Sequence, residues 1–209
     1  ALERGDRVLE IGCGWGTLAA FLAESAQVHV DAISLSDEQL AYARDRWQID
    51  AGSVDFRKQD YRDVEGCYDA VVSVEMVEAV GRQFWPDFLD CIARNLKPGG
   101  HAAIQYIALR DDLFESYARS ADFIQTYIFP GGMLVHEGEF RRLAEERGLR
   151  WQDRHAFGQD YARTLREWRQ NFDLAVEEGL LPPGFDDRFV RLWRFYLMYC
   201  EGGFLGGGI

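Results

Sequence analysis

A chain of 209 residues suffices for one large domain, or one with a small subdomain, and for a sizeable buried core. A formal charge of −12 with no basic run argues against a nucleic-acid partner, and against electrostatic docking on anionic lipid, so any membrane contact must be apolar. No apolar run of about eighteen residues could cross a membrane, and the cysteines (Cys13, Cys67, Cys91, Cys200) lack metal-ligand spacing, which suits reduced thiols in a cytoplasm.

Arg7 to Ile11 alternates and is rich in β-formers, so it reads as a buried strand. Gly12, Gly14 and Gly16 then make a tight turn into a helical run, Thr17 to Glu24. Glycines suit a place where backbone approaches a ligand and φ turns positive, and the helix start beyond offers free N–H groups. The spacing is GxGxG after Glu10, not the GxGxxG of a dinucleotide site. It resembles the first motif of S-adenosylmethionine (SAM) methyltransferases. A strand-turn-helix without a ligand is the alternative.

Val28 to Ile33 is a second strand, and Ser36-Asp-Glu-Gln39 caps a helix that reaches about Trp47. Val54 to Lys58 and Tyr68 to Val74 are the third and fourth strands, the latter apolar enough to be central. Phe84 to Leu96 is helical and stops at Lys97-Pro-Gly-Gly100, before a fifth strand from His101 to Ile107. Such β-α alternation predicts one parallel sheet with right-handed crossovers and its ligand at the strand C-terminal ends. An insertion from Asp111 to Met133, rich in Phe and Tyr, reads as a lid or substrate wall; an elaborated core patch is the other reading. Glu139 to Glu146 reads as helix, Arg150 to Phe157 as strand, and Thr164 to Leu174 as helix. After Pro182-Pro-Gly184 comes a last amphipathic helix, roughly Asp186 to Cys200.

Several residues could carry chemistry. Glu75 and Glu78 follow the fourth strand, where the ligand should lie and where they could bind an ion, hold a base or accept a proton; solvated turn residues would look the same. Asp31 lies inside the second strand and Ser34 takes its end, so the usual ribose-binding acid is not clean. Asp60 is placed to accept from an adenine amino group, or to cap a turn. His136 and His155 stand apart from other ligand-type residues. Cys200, by spacing alone, is a buried core thiol.

Five strings converge on one family. Leu9-Glu-Ile-Gly-Cys-Gly-Trp-Gly16, Ser73-Val-Glu-Met-Val-Glu-Ala-Val-Gly81 and Tyr127-Ile-Phe-Pro-Gly-Gly132 resemble cyclopropane-fatty-acyl-phospholipid synthases. So do Asp160-Tyr-Ala-Arg-Thr-Leu-Arg-Glu-Trp-Arg169 and Tyr196-Leu-Met-Tyr-Cys-Glu-Gly-Gly-Phe204. The resemblance runs from about Asp6 to Phe204.

It implies an α/β fold: a class I SAM-methyltransferase, Rossmann-like doubly wound sheet in a single domain over 1–209, with an α-helical lid at about 108–137 after strand 5. The implied enzyme is a C-methyltransferase acting on the double bond of an unsaturated phospholipid acyl chain. The alkene attacks the SAM methyl group, and a carbocation then loses a proton to close a cyclopropane. A bound bicarbonate acts as base, held by Glu78, Gln105, the Ile107 backbone and Tyr161. Cys200 matches a cysteine that the family treats as active and is expected to line the pocket. The implied SAM contacts are Glu10, Gly12, Cys13, Gly14, Trp15, Gly16, Ser34, Gln39, Asp60, Tyr61 and Glu75. A cytoplasmic protein peripheral to the inner face of the membrane is expected, with homodimerisation expected from the family alone and Phe114, Phe123 and Phe129 in its membrane contact.

Four departures stand out. Many synthases carry His where this chain has Gln105, and Leu134-Val-His136 replaces a usual Leu-Pro-Ser. The family's N-terminal helices before Ala1 and its final strand after Ile209 are absent, so the chain reads as truncated at both ends. The Glu75/Gln105 combination also resembles the branch making 10-methylene or 10-methyl fatty acids. A small-molecule N- or O-methyltransferase and a non-catalytic SAM- or lipid-binding remnant are the rival readings.

Overall fold

In the computed structural model, which describes residues 2–47 and 53–209, the central strand is β1 (Arg7–Ile11). Its residues after Arg7 are all buried, so it needs apolar neighbours on both faces. It pairs in parallel with β2 (His29–Ser34) on one side and β4 (Tyr68–Val74) on the other. β3 (Val54–Lys58) continues beyond β2, and β5 (Leu96–Gln105) beyond β4, giving the order β3-β2-β1-β4-β5. Strand order reverses between β1 and β4. Crevices at such reversals, beyond the strand C-terminal ends, are where ligands sit in open α/β sheets.

The helices cover this sheet for sequence reasons. α1 (Thr17–Ala26) buries Ala19, Ala20 and Ala23, small residues that let it lie close to the strands. α2 (Asp37–Arg46) starts where Ser36 Oγ accepts from the Gln39 N–H, with Asp37 and Glu38 in its first turn, as its sequence predicts. α3 (Trp85–Asn95) buries Trp85, Phe88, Leu89 and Ile92. Phe140, from α6 (Glu137–Glu145), stacks on Phe88 at 6.3 Å and meets Trp85 edge-on. Asp31 ties the strands together from within. It accepts from Arg7 of β1 (2.9 Å), Arg57 of β3 (2.8 Å) and the Tyr68 hydroxyl of β4 (2.7 Å).

Two compact units partition the chain, Ala1–Ile107 with Glu139–Arg150, and Ala108–Gly138 with Trp151–Ile209. The second contains a two-stranded parallel ladder absent from the sequence reading, β6 (Ala108–Leu109) with β7 (Val135–His136). The residues between carry α4 (Asp111–Tyr117) and α5 (Phe123–Tyr127), the latter opened by an Asp122/Gln125 capping box. α7 (Gly158–Glu177) and α8 (Asp187–Leu205) pack against each other.

Four sequence expectations need correcting. β5 begins at Leu96, where a helix was expected to end, because Leu96 already pairs with Tyr68; a register shift over 97–100 then brings His101 opposite Ala70. It ends at Gln105, since the Ile107 N–H goes to a side chain instead of the ladder. Arg150 to Phe157 is not a strand: Asp153 takes φ +50°, and 152–157 are exposed with no ladder partner. α8 runs five residues past Cys200, through Gly202 and Gly203, because packing outweighs the roughly 1 kcal/mol cost of each helical glycine.

The fourth correction concerns the expected membrane contact. Phe114 is 0 % exposed, with its ring against Tyr117 and His136, whereas Phe129 is 55 % exposed. Phe129→Ser, which gives up an edge-on contact with Tyr196 at 6.1 Å, is therefore expected to cost only about 1 kcal/mol, as urea melts would show. A polar group at Phe114 would disturb a core instead, so only the exposed position can test lipid contact.

Candidate active site

The glycine turn is built on positive φ angles: +82° at Gly12, +53° at Gly14 and +81° at Gly16. The N–H groups of Gly12 and Cys13 both donate to the Ile33 carbonyl, at 3.0 and 2.9 Å, which pins the turn to the end of β2. Gly16 caps α1 without any side-chain cap, so backbone N–H groups open the helix. Gly14 faces open space: a Cβ there would meet nothing within 4 Å. Beneath the turn lies Glu10, 3 % exposed. Burial pushes its carboxyl up to about 8, against the pull of the Ala19 N–H, and its Oε2 has no hydrogen-bond partner. A buried oxygen without a partner beside an open glycine backbone fits a ligand that brings its own cationic donor.

The neighbouring residues have distinct surroundings. Burial, then the Glu10 charge, push the Cys13 thiol up to about 12, so it stays protonated. Trp15 is exposed and edge-on to Tyr42 at 5.2 Å, and its carbonyl accepts from Trp47 Nε1. The Ser34 hydroxyl donates to Gln39 Oε1 (3.1 Å) and accepts from the Ser36 N–H. Asp60 accepts from the Arg62 N–H and from two guanidinium nitrogens, which hold its carboxyl below the usual range. That uses three of roughly four acceptor sites on a carboxylate. Tyr61 lies edge-on to Phe88 at 5.8 Å. Asp31, committed to Arg7, Arg57 and Tyr68, belongs to the sheet.

At the end of β4 the chain turns sharply. Glu75 adopts φ +49°, its N–H donates to the Gln105 carbonyl (2.9 Å), and its Oε1 accepts from Gln105 Nε2 (2.8 Å). Met76 lies against the glycine turn: a Cβ at Gly12 would come within 2.6 Å of its Cγ. Val77 is buried, and Glu78 follows on a single 3-10 turn. Glu78 Oε1 accepts from the Ile107 N–H at 2.5 Å, while its buried Oε2 has no hydrogen-bond partner. Burial pushes this carboxyl up to about 7, with the Glu75 charge adding to the shift. Glu75, Glu78, Gln105 and Ile107 thus form one cluster, with one carboxyl able to exchange a proton near neutrality.

Tyr161 lies in the second unit, on α7, where it stacks on Phe204. Cys200, on α8, is half-buried and not the buried thiol its spacing suggested, because α8 turns the next residue, Glu201, inward instead. Among the described residues no group of three His, Cys, Asp or Glu is placed to hold a metal ion, and no helix is long and apolar enough to cross a membrane. Sequence reasoning missed the Met76 packing and the Arg62 claim on Asp60. Only the second carried a local signal, the Asp-x-Arg spacing at a turn.

A family profile described as mycolic acid cyclopropane synthetase matches residues 1–209. The chain belongs to that family. Among curated relatives, the tuberculostearic acid methyltransferase UfaA1 of Mycobacterium tuberculosis is 40 % identical over 211 residues, 99 % of this chain and 48 % of that protein. The Escherichia coli cyclopropane-fatty-acyl-phospholipid synthase is 34 % identical over 203 residues, 97 % of this chain and 51 % of the relative. The chain thus spans about half the length of these curated relatives. The crystal structure of the mycolic acid cyclopropane synthase CmaA1 complexed with SAH and CTAB superposes with TM-score 0.89 at 22 % identity, covering 100 % of this chain and 76 % of that one. That likeness establishes the class I SAM-methyltransferase fold.

Proposed function

We propose that this chain forms the catalytic part of a SAM-dependent C-methyltransferase that acts on the double bond of an unsaturated phospholipid acyl chain, giving a cyclopropane fatty acid. The observation that carries the reading is Glu78: a carboxyl titrating near neutrality, with one oxygen unpartnered, at the sheet's reversal point. The glycine turn with Glu10 fits SAM, whose ammonium would meet the unpartnered Glu10 oxygen; Ser34, Gln39, Asp60 and Tyr61 complete the contacts. Bound SAM supplies an electrophilic methyl group.

The alkene electron pair forms the new carbon–carbon bond, and one proton must then leave the acyl carbocation. Glu78 governs that proton. Its Oε1 is fixed by the Ile107 N–H, which leaves Oε2 to hold an ion bearing one acidic hydroxyl, and this fits bicarbonate. Gln105, oriented by Glu75, keeps a second amide N–H for the same ion. Tyr161 is the phenol that the family resemblance adds to this set, and Cys200 is read as lining the acyl pocket. Loss of the proton from the transferred methyl closes the ring.

A second reading draws on the 40 % identity to UfaA1 and on the Glu75–Gln105 hydrogen bond: the same carbocation loses a different proton, giving a 10-methylene chain, which only a separate hydride-donating reductase would convert to a 10-methyl one. A cytoplasmic enzyme, peripheral to the membrane through exposed apolar residues such as Phe129, and a homodimer, belong to the same proposal. The test is incubation with dioleoyl phospholipid vesicles, labelled SAM and bicarbonate, with the fatty acids identified by mass spectrometry. A gain of one CH2 equivalent supports the reading, and ring or exocyclic methylene names the product. Unlabelled lipid despite SAM binding would overturn it and direct attention to amine acceptors.

A further inference from the structure

Two of the strings that carry the family resemblance, Asp160 to Arg169 and Tyr196 to Phe204, meet within the second unit. Glu201, buried on α8, accepts from Arg166 Nε at 2.7 Å, and Arg169 Nη2 lies 3.5 Å from its other oxygen. One turn further on, the Phe204 ring stacks on Tyr161, centroids 4.7 Å apart and planes 25° from parallel. That approach depends on Gly158, three residues before Tyr161: a Cβ there would stand 3.2 Å from Phe204 Cδ1. Gly203 plays a matching part, since its missing side chain admits Ile209, whose Cδ1 would lie 2.8 Å from a Cβ. Gln159 Nε2 donates to the Phe204 carbonyl at 3.4 Å.

We propose that Phe204 is a positioning residue for Tyr161, with Glu201 setting the register of α8 and Gly158 admitting the stack. The inference rests on the reading above, in which the Tyr161 hydroxyl helps to hold the base anion. A tyrosine ring turns about two torsions, and a neighbouring ring lying flat against it removes much of that freedom. A hydroxyl in place for only part of the time binds its ion more weakly in proportion to the competent fraction.

The experiment measures methyl transfer to dioleoyl phospholipid vesicles as bicarbonate is varied, with SAM affinity and thermal melts recorded for each variant. Phe204→Leu is expected to raise the half-saturating bicarbonate about tenfold while SAM affinity holds, and Phe204→Tyr is expected to restore the wild-type value. Gly158→Ala supplies a second variant, one that keeps both rings. Its methyl would stand 3.2 Å from Phe204 Cδ1 and displace that ring, so the bicarbonate requirement should climb whichever way the melting temperature moves. Tyr161→Phe is the reference. If it shifts the bicarbonate dependence and Phe204→Leu does not, Phe204 is only structural and the proposal falls alone. If Tyr161→Phe leaves that dependence unchanged, or the wild type transfers nothing to lipid, the reading of the site falls and takes the proposal with it.

Discussion

Replacing Glu78 by Gln is expected to lower methyl transfer by about 10²- to 10⁴-fold, the usual range for losing a positioned acid–base group. The amide still offers an oxygen to the Ile107 N–H, so the turn keeps its shape, but the group can no longer exchange a proton. In the wild type, activity should rise with pH through about 7 as this carboxyl ionises, and the variant's residual activity should lack that rise. Stability should move the other way. The carboxyl titrates at about 7 in the fold against an ordinary value of 4.5, so the native state holds the proton more tightly than the unfolded chain does. Its contribution is complete below pH 4.5 and is lost as pH climbs through 7, on the order of 3 kcal/mol. Glu78→Gln should therefore be more stable than wild type at pH 8 and little different at pH 4, which paired thermal melts would reveal. Full activity in this variant would sink the lipid reading and favour a polar nucleophile that needs no added base.

Gly16→Ala should cost about 3 kcal/mol. A left-handed φ of +81° costs any residue with a Cβ about 1–2 kcal/mol. The added methyl would also lie 2.8 Å from Ala43 Cβ and from the Phe56 ring edge, and overpacking of this kind costs a further 1–3 kcal/mol. Gly14→Ala is the contrast. It carries the backbone strain, but its Cβ meets nothing in the protein, so the fold should survive better than the affinity for SAM. Urea melts and calorimetric titration with SAM on both variants separate the two effects; equal loss of stability would refute the packing argument.

Much of the first unit was legible because its signals are local. Arg7–Ile11, Val54–Lys58 and Tyr68–Val74 fall where apolar runs and turn residues place them, and Ser36 caps its helix as its spacing predicts. What could not be read depends on distant partners. The start of β5 is decided by pairing with Tyr68, and the passage of α8 through two glycines by contacts of Glu201 and Phe204 with α7. The burial of Phe114 is decided by Tyr117 and His136, which no periodicity announces. In the site, the position of Glu78 just after β4 was legible, but its raised proton affinity comes from surroundings assembled by the fold. Asp60 shows the opposite case. Its capping of the next turn was one of two local readings, and Arg62, two residues on, engages both oxygens.

Asp31 also makes three joints of the sheet depend on one side chain. One carboxylate on β2 holds side chains from β1, β3 and β4, two of them, Arg7 and Tyr68, at the first residue of their strands. β1 and β4 are thereby held at their starts, and β3 at its next-to-last residue. At their far ends the sheet gives way to glycines and to the left-handed backbone of Glu75. Those ends have their own ties, Gly12 and Cys13 to Ile33, Ser73 to Ile11 and Glu75 to Gln105, so removing the Asp31 carboxylate should loosen the strand pairing while leaving the crevice's backbone contacts in place.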